Sequence, residues 1–218
     1  MPKQFDLIVF DWDGTLVDSA QTIVESIQQA SVDVGLPIPV DADARSIIGL
    51  SLRPAIAALF DEIDAAQLQK MVERYNFHFH ARDHQITLFE GVAEAMVELE
   101  DAGFMLAVAT GKGRRGLEHA FEQTGLRSHF VASRCADECH SKPHPQMLHE
   151  LMDEVATPPE RTVMIGDTPY DLEMARNAAV ARLGVTYGAQ PLEALLPHEP
   201  LAHFDNFTNL HRWLIMHA

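Results

Sequence analysis

The sequence predicts an α/β fold: a Rossmann-like, three-layer core around a parallel sheet, with an all-helical cap domain inserted near its beginning. Three patterns predict it. They are short apolar runs without alternation, helical periodicity between those runs, and one long stretch, residues 17–87, that has helical periodicity but no convincing strand. Continuous apolar runs suit strands buried on both faces, as in a parallel sheet. Strands alternating with helices imply right-handed crossovers and an open sheet.

In chain order, Leu7-Ile8-Val9-Phe10 opens the sheet. Three apolar helical faces follow in residues 17–87: Ile23, Ile27, Ala30 and Val34; then Leu52, Ile56, Leu59 and Phe60; then Leu68, Met71, Val72, Tyr75 and Phe79. Amphipathic helices in that number can bury their faces against one another. Residues 17–87 are therefore expected to form the cap, and residues 1–16 with 88–218 the core. The alternative is that these helices lie on the sheet as ordinary crossovers. Val92, Ala95, Met96 and Leu99 then repeat the helical spacing, with Gly103 placed to end the helix. Met105–Ala109 is the next strand, and Leu117, Ala120, Phe121 and Thr124 the next helical face, stopped by Gly125. The run His129-Phe130-Val131-Ala132 is expected as a third strand. Met147, Leu148, Leu151, Met152 and Val155 give a helix closed by Pro158-Pro159. Thr162-Val163-Met164-Ile165 is a strand, and Leu172, Ala175, Ala178 and Ala179 mark a helix. Ala181–Val185 and Ala202–Phe204 are weaker strand candidates.

Length and composition narrow the function. The 218 residues suit one domain carrying a smaller insert. Apolar residues make up 47% and charged residues 22%, close to globular averages, which excludes wholesale disorder. A formal net charge of −16 makes nucleic acid and anionic membranes poor partners. The cysteines, Cys135 and Cys139, are too few for a disulfide framework. No apolar run reaches the ~20 residues of a membrane-spanning helix, and residues 1–6 lack the apolar segment of a signal peptide. A reduced, cytoplasmic setting is expected.

Chemistry gathers where strands end. The first strand runs into Asp11-Trp12-Asp13-Gly14-Thr15. Residues i and i+2 of an extended chain point the same way, so one carboxylate can attack while the other handles a proton. Gly14 permits a sharp turn and close approach of the backbone to an anion. Taken alone, the Asp-Gly pair also fits a plain turn. The next strand ends in Thr110-Gly111, a hydroxyl and backbone donors suited to a phosphate, and equally a common turn. Further on come Ser141-Lys142-Pro143-His144-Pro145 and Gly166-Asp167-Thr168-Pro169-Tyr170-Asp171. In the latter, Asp171 also reads as a helix cap.

These four segments resemble, in order, the motifs of the haloacid dehalogenase superfamily. The first is its DxDGT, with Trp12 where Phe is usual, and the last is its GDxxxD. The resemblance runs from about Phe5 to Leu214 and is strongest to the phosphoglycolate phosphatase-like branch with a helical cap. It implies a Mg²⁺-dependent phosphatase acting through an aspartyl-phosphate. In that scheme Asp11 is the nucleophile and Asp13 the general acid and base. Gly14, Thr110, Gly111 and Lys142 hold the phosphoryl group, and Lys142 also neutralises charge in catalysis. Mg²⁺ is held by Asp11, Asp13 (through its carbonyl) and Asp167, while Asp171 binds through water or orients Lys142. Retention of Asp13 argues against dehalogenase chemistry. The implied partner is a small phosphorylated metabolite such as 2-phosphoglycolate or a sugar phosphate. The alternatives are a pyrophosphatase, a phosphosugar mutase, or a non-catalytic phosphometabolite-binding regulator. In the cap, Gly49-Leu50-Ser51-Leu52-Arg53 resembles the loop that faces the active site, so Arg53 is expected to bind a second acidic group, or to be a surface arginine at a helix start. Monomer and homodimer are both open.

Other features are set aside. Cys135, Cys139, His140 and His144 have only a superficial zinc-ligand spacing. His78, His80 and His84 cluster near the end of the longest cap helix, with His80 and His84 on one face; an exposed helix end is expected there rather than a metal site. The Lys112-Gly113-Arg114-Arg115 cluster suits either anion attraction or a helix N-terminal surface.

Overall fold

The computed structural model describes residues 3–217; residues 1, 2 and 218 of the expected core lie outside the described residues. The elements in order are β1 (Leu7–Phe10), α1 (Ala20–Val34), α2 (Asp41–Ser46), α3 (Leu52–Leu59), α4 (Ala65–His80), α5 (Val92–Asp101), β2 (Met105–Ala109), α6 (Arg114–Thr124), β3 (Ala132–Arg134), α7 (Gln146–Glu154), β4 (Thr162–Gly166), α8 (Pro169–Asn177), β5 (Ala181–Val185), α9 (Leu192–Leu195), β6 (Ala202–Phe204) and α10 (Phe207–His217). The strands form one six-stranded sheet in the order β3-β2-β1-β4-β5-β6, and every pairing is parallel.

Side-chain alternation along the strands builds the three layers. Ile8, Phe10, Leu106, Val108, Val163 and Ile165 face one side and pack with Val92, Met96 and Leu99 of α5, Leu117 and Phe121 of α6, and Leu210 and Leu214 of α10. Leu7, Val9, Ala107, Ala109 and Met164 face the other side, against Met147, Leu148 and Leu151 of α7 and Met174 and Ala175 of α8. Each large side chain removed from water in this way contributes about 1.5–3 kcal/mol. Burial on both faces is why these strands read as unbroken apolar runs.

The third strand begins later than the sequence suggests. Residues Leu126–His129 form a 3-10 turn after the left-handed Gly125, and the ladder to β2 starts at Ala132, opposite Ala107. Phe130 belongs to the core, but Val131 is 52% exposed. The apolar run therefore combines a core-filling turn with a strand entry.

Between β1 and β2 the structure is helical. Ile23, Val24 and Ile27 of α1 pack with Ala44 of α2 and Ala55 of α3, while Ala30, Ile56 and Met71 form a smaller cluster. Helix α4 starts at a reciprocal cap. The Asp64 carboxylate accepts from the Ala66 and Gln67 N–H groups at 2.8 Å, and the Gln67 side chain accepts from the Asp64 N–H at 3.2 Å, an arrangement that contributes ~1 kcal/mol. The helical segment leaves and re-enters the core through a narrow neck. Val17 bridges antiparallel to Leu88, the Asp18 N–H donates to the Thr87 carbonyl at 2.9 Å, and the Phe89 N–H donates to the Leu16 carbonyl at 3.1 Å. Farther from the neck, the Tyr170 hydroxyl donates to the Ser46 carbonyl at 3.1 Å, and the Gln190 amide to the Arg45 carbonyl at 2.7 Å. No helix among the described residues is long and apolar enough to cross a membrane.

Candidate active site

Strand β1 lies between β2 and β4, where the direction of strand progression reverses. Open α/β sheets bind ligands at the carboxyl ends of strands at such a point. Asp11 follows β1, Thr110 follows β2 and Asp167 follows β4, so three of the motifs meet there. Trp12 turns the opposite way from its neighbours and packs edge-on against Phe121 at 5.1 Å and Phe130 at 6.3 Å. That anchor leaves Asp11 and Asp13 lining one cleft.

Lys142 comes from the turn before α7, through a cis Lys142–Pro143 bond rather than from the helix itself. Its ammonium lies 2.7 Å from Asp11 Oδ1 and 2.6 Å from Asp171 Oδ1, with all three side chains buried. Asp171 does two jobs at once. Its other oxygen accepts from the Thr168 N–H at 3.1 Å and the Thr168 hydroxyl at 2.6 Å, capping α8. The helix-cap and lysine-orienting readings are thus the same structure. Asp167 accepts from the Thr15 hydroxyl at 3.2 Å and from the Ala189 N–H at 2.7 Å. Asp11 differs from both: neither of its buried oxygens accepts a well-directed hydrogen bond among the described residues, despite the close lysine.

The electrostatics follow from burial. Taking Asp11 out of water raises its pKa from the ordinary 3.8 to about 7, with Asp171 adding to the rise and Lys142 opposing it. Burial also lifts Asp167 well above the carboxylate range, helped by Asp11 and Asp171. Lys142 is buried too, but the two carboxylates raise its pKa and keep it charged. One ammonium thus faces three carboxylates, whose oxygens lie within 4.8 Å of one another. Such a set can hold a metal ion.

Gly14 is required on two counts. Its φ of +79° is left-handed, and a Cβ there would lie 2.1 Å from Asp167 Oδ2. Gly111 seats the cap, since a Cβ would fall 2.8 Å from the Gly49 carbonyl oxygen and 2.7 Å from that of Leu50. The Ser51 N–H donates to the Ser141 hydroxyl at 3.0 Å across the same junction. Thr110 is buried, and its hydroxyl accepts from the Lys112 N–H at 3.1 Å. A cleft of about 860 Å³ runs from Asp11, Asp13, Thr110 and Gly111 to Ile47, Leu50 and Arg53 of the helical segment. Arg53 is exposed within it and donates to Gln69 at 2.6 Å.

Sequence reasoning gave Ser19 no role and left that of Lys112 open. The Ser19 hydroxyl donates to Asp13 Oδ1 at 2.7 Å. Lys112 pairs with Asp13 Oδ2 at 3.0 Å and lies 4.5 Å over the Phe79 ring. Thr15 ends the first motif and Ser19 lies four residues beyond it, and hydroxyls so near paired carboxylates were the available signal. The basic cluster divides: Lys112 and Arg115 line the cleft, whereas Arg114 turns to Glu138 at 2.8 Å and Ser133 at 2.7 Å. His80 and His84 do not share a helix face, because α4 ends at His80 and His84 lies in the following 3-10 turn. Cys135, Cys139, His140 and His144 form no converging donor group among the described residues. Burial pushes the two thiols up to about 12 and about 11, away from thiolate reactivity.

Comparison with known proteins agrees with this geometry. Residues 8–185 match the haloacid dehalogenase-like hydrolase family. A protein named "Probable phosphatase IndB" from Dickeya dadantii is 33% identical, over 94% of this chain and 91% of that protein. A phosphoglycolate phosphatase from Vibrio vulnificus is 30% identical, over 95% of each chain. The crystal structure of a predicted phosphoglycolate phosphatase from Haemophilus somnus superposes with a TM-score of 0.87 at 25% identity, covering 97% of this chain and 99% of that one. The chain belongs to the haloacid dehalogenase-like hydrolase family.

Proposed function

We propose that the protein is a Mg²⁺-dependent phosphatase that hydrolyses a small phosphomonoester through an aspartyl-phosphate on Asp11. The observation that carries this reading is the Asp11 carboxylate. It is buried, its Oδ1 sits 2.7 Å from Lys142, its Oδ2 has no partner among the described residues, and it opens on the cleft lined by Asp13, Thr110 and Gly111. The names of the relatives that match nearly end to end support the same chemistry.

Asp11 attacks phosphorus, and the P–O bond to the leaving alkoxide breaks as the new one forms. Asp13, as the acid, gives that alkoxide its proton. As a carboxylate it then takes a proton from the water that attacks the phosphoaspartate and frees Asp11. The Thr110 hydroxyl and the backbone N–H groups around Gly14 and Gly111 receive the phosphoryl oxygens. Lys142, held by Asp171, balances their charge. The residues also fit a hard divalent cation: an Asp11 Oδ2 with no partner among the described residues, an excess of buried carboxylate, and a converging set of carboxylate oxygens. Asp11, Asp167 and the Asp13 carbonyl would hold Mg²⁺, which when bound supplies the positive charge that keeps the site ionised and polarises the phosphoryl group.

In this reading residues 17–87 act as a cap on a core of 1–16 and 88–218, and the cap selects the leaving group. The substrates in view are 2-phosphoglycolate, whose carboxylate Arg53 would receive, and sugar phosphates, in a cytoplasmic setting. The test is phosphate release with Mg²⁺ from a panel of 2-phosphoglycolate, sugar phosphates, nucleotides and pyrophosphate. Asp11→Asn should lower turnover at least ~1,000-fold while the variant stays folded by circular dichroism. A folded variant with full activity overturns the mechanism.

A further inference from the structure

A second donor cluster lies outside the catalytic residues. His80 ends α4, Asp83 opens the 3-10 turn 83–85 that follows, and His119 sits on α6 of the core. Sequence spacing gave no reason to group them. Asp83 Oδ2 lies 3.2 Å from His80 Nδ1 and 3.1 Å from His119 Nε2, and all three donor atoms fall within 4.8 Å of one another. Zn²⁺ takes imidazole and carboxylate donors at ~2.0–2.1 Å in a tetrahedron, which sets neighbouring donors ~3.3 Å apart. The two edges, 3.2 and 3.1 Å, are near that value. Asp83 Oδ2 faces both imidazole nitrogens, so one potential ligand atom from each residue converges on the same place. The side chains of His80 and His119 are 54% and 46% exposed, so a cation reaches them from solvent, while Asp83 at 10% is held in place. A void of about 30 Å³ adjoins the three residues, lined also by Gln123, Thr124 and the apolar Trp12, Val17, Phe79 and Ile86.

We propose that His80, Asp83 and His119 form a transition-metal site of the Zn²⁺ class that ties the base of the helical cap to α6. Two imidazoles and one carboxylate suit Zn²⁺ and its neighbours, whereas Mg²⁺ prefers oxygen donors throughout. The site is therefore chemically distinct from the aspartate cluster. Its ligands belong to two structural units, so ligation fixes the cap base against the core. Asp13 and Lys112 line the same void, and Phe79, next to His80, underlies Lys112. Metal binding therefore holds the surroundings of the Asp13–Lys112 pair.

The test is binding, not turnover, so its outcome is separable from that of the phosphatase proposal. Tag-free protein in saturating Mg²⁺ is titrated with Zn²⁺ against a chelating dye, and with Co²⁺ to read the tetrahedral d–d absorption. One Zn²⁺ per chain is expected, with a rise in melting temperature. His80→Ala and His119→Ala replace exposed side chains, and their melts without Zn²⁺ check that they fold. Each should weaken binding by more than the ~10–100-fold that follows loss of an outer partner, and should abolish the Co²⁺ band. His84→Ala and Cys139→Ser should change nothing. Absence of Zn²⁺ binding in the wild type, or equal binding in the double variant His80→Ala/His119→Ala, overturns the proposal.

Discussion

Asp171→Asn probes how Lys142 is held. Asp171 is buried with both oxygens committed, one to Lys142 at 2.6 Å and the other to the Thr168 N–H at 3.1 Å and hydroxyl at 2.6 Å. The amide keeps the shape but replaces one acceptor with a donor. With its oxygen toward Lys142, its NH₂ confronts the Thr168 N–H; turned round, the NH₂ confronts the ammonium. Either way a buried donor loses its acceptor, at a cost of ~1–3 kcal/mol, and a charged hydrogen bond of ~1.5–3 kcal/mol is lost. Together these match the ~3–5 kcal/mol for removing one partner of a buried pair. The Lys142–Asp11 contact at 2.7 Å survives, which places the cost near ~3 kcal/mol. At ~2–4 °C per kcal/mol for a chain of this size, the melting temperature should fall by ~6–12 °C. The measurement is a thermal melt of both proteins at neutral pH in EDTA, because a bound cation would shift either curve. Thr168→Ala completes a double-mutant cycle, with an expected coupling of ~0.5–3 kcal/mol. A melt within ~2 °C of wild type, with no coupling to Thr168, would refute the shared clamp.

Two further predictions concern pH and specificity. Burial raises Asp11 from 3.8 to about 7 and moves Asp167 the same way, so between those pH values the folded protein keeps protons that the unfolded chain has released. That stability is full below the unfolded value and is lost as pH rises through about 7. The cation-free protein should therefore melt lower at about pH 8 than at about pH 5, and Mg²⁺ should raise the melt more at the higher pH; equal Mg²⁺ shifts at both would contradict it. Arg53→Ala removes an exposed cap residue and should leave folding and kcat intact. It should raise KM for substrates with a second anionic group by ~10–100-fold, the value of a charge-assisted hydrogen bond. An unchanged KM for every anionic phosphomonoester would remove Arg53 from the site.

Most of the strands, and the residues that follow them at the cleft, were legible because their signals are local. An unbroken apolar run encodes burial on both faces, and Asp11, Thr110 and Asp167 each follow such a run directly. The apolar faces of the helical segment were legible for the same reason, although the short α2 lacks a full helical period and gave no signal. The start of β3 was misplaced, since Phe130 fills the core from a turn and apolar content alone does not separate that from a strand. Lys112 stayed ambiguous, because nothing near it in sequence says that it will meet Asp13.

Sequence by itself determined the layer order of the fold, the helical insertion after the first strand, and the four motifs, three of which directly follow strands. Tertiary structure alone decided which charges meet. Thr15 reaches Asp167 across 152 positions, Lys142 reaches Asp171 across 29, and His119 reaches Asp83 across 36. Periodicity records what one segment buries, within a turn or a few residues. Contacts between distant segments depend on how separate elements dock, and in this protein that docking creates both the buried excess of carboxylate around Asp11 and the histidine–aspartate cluster at the base of the cap.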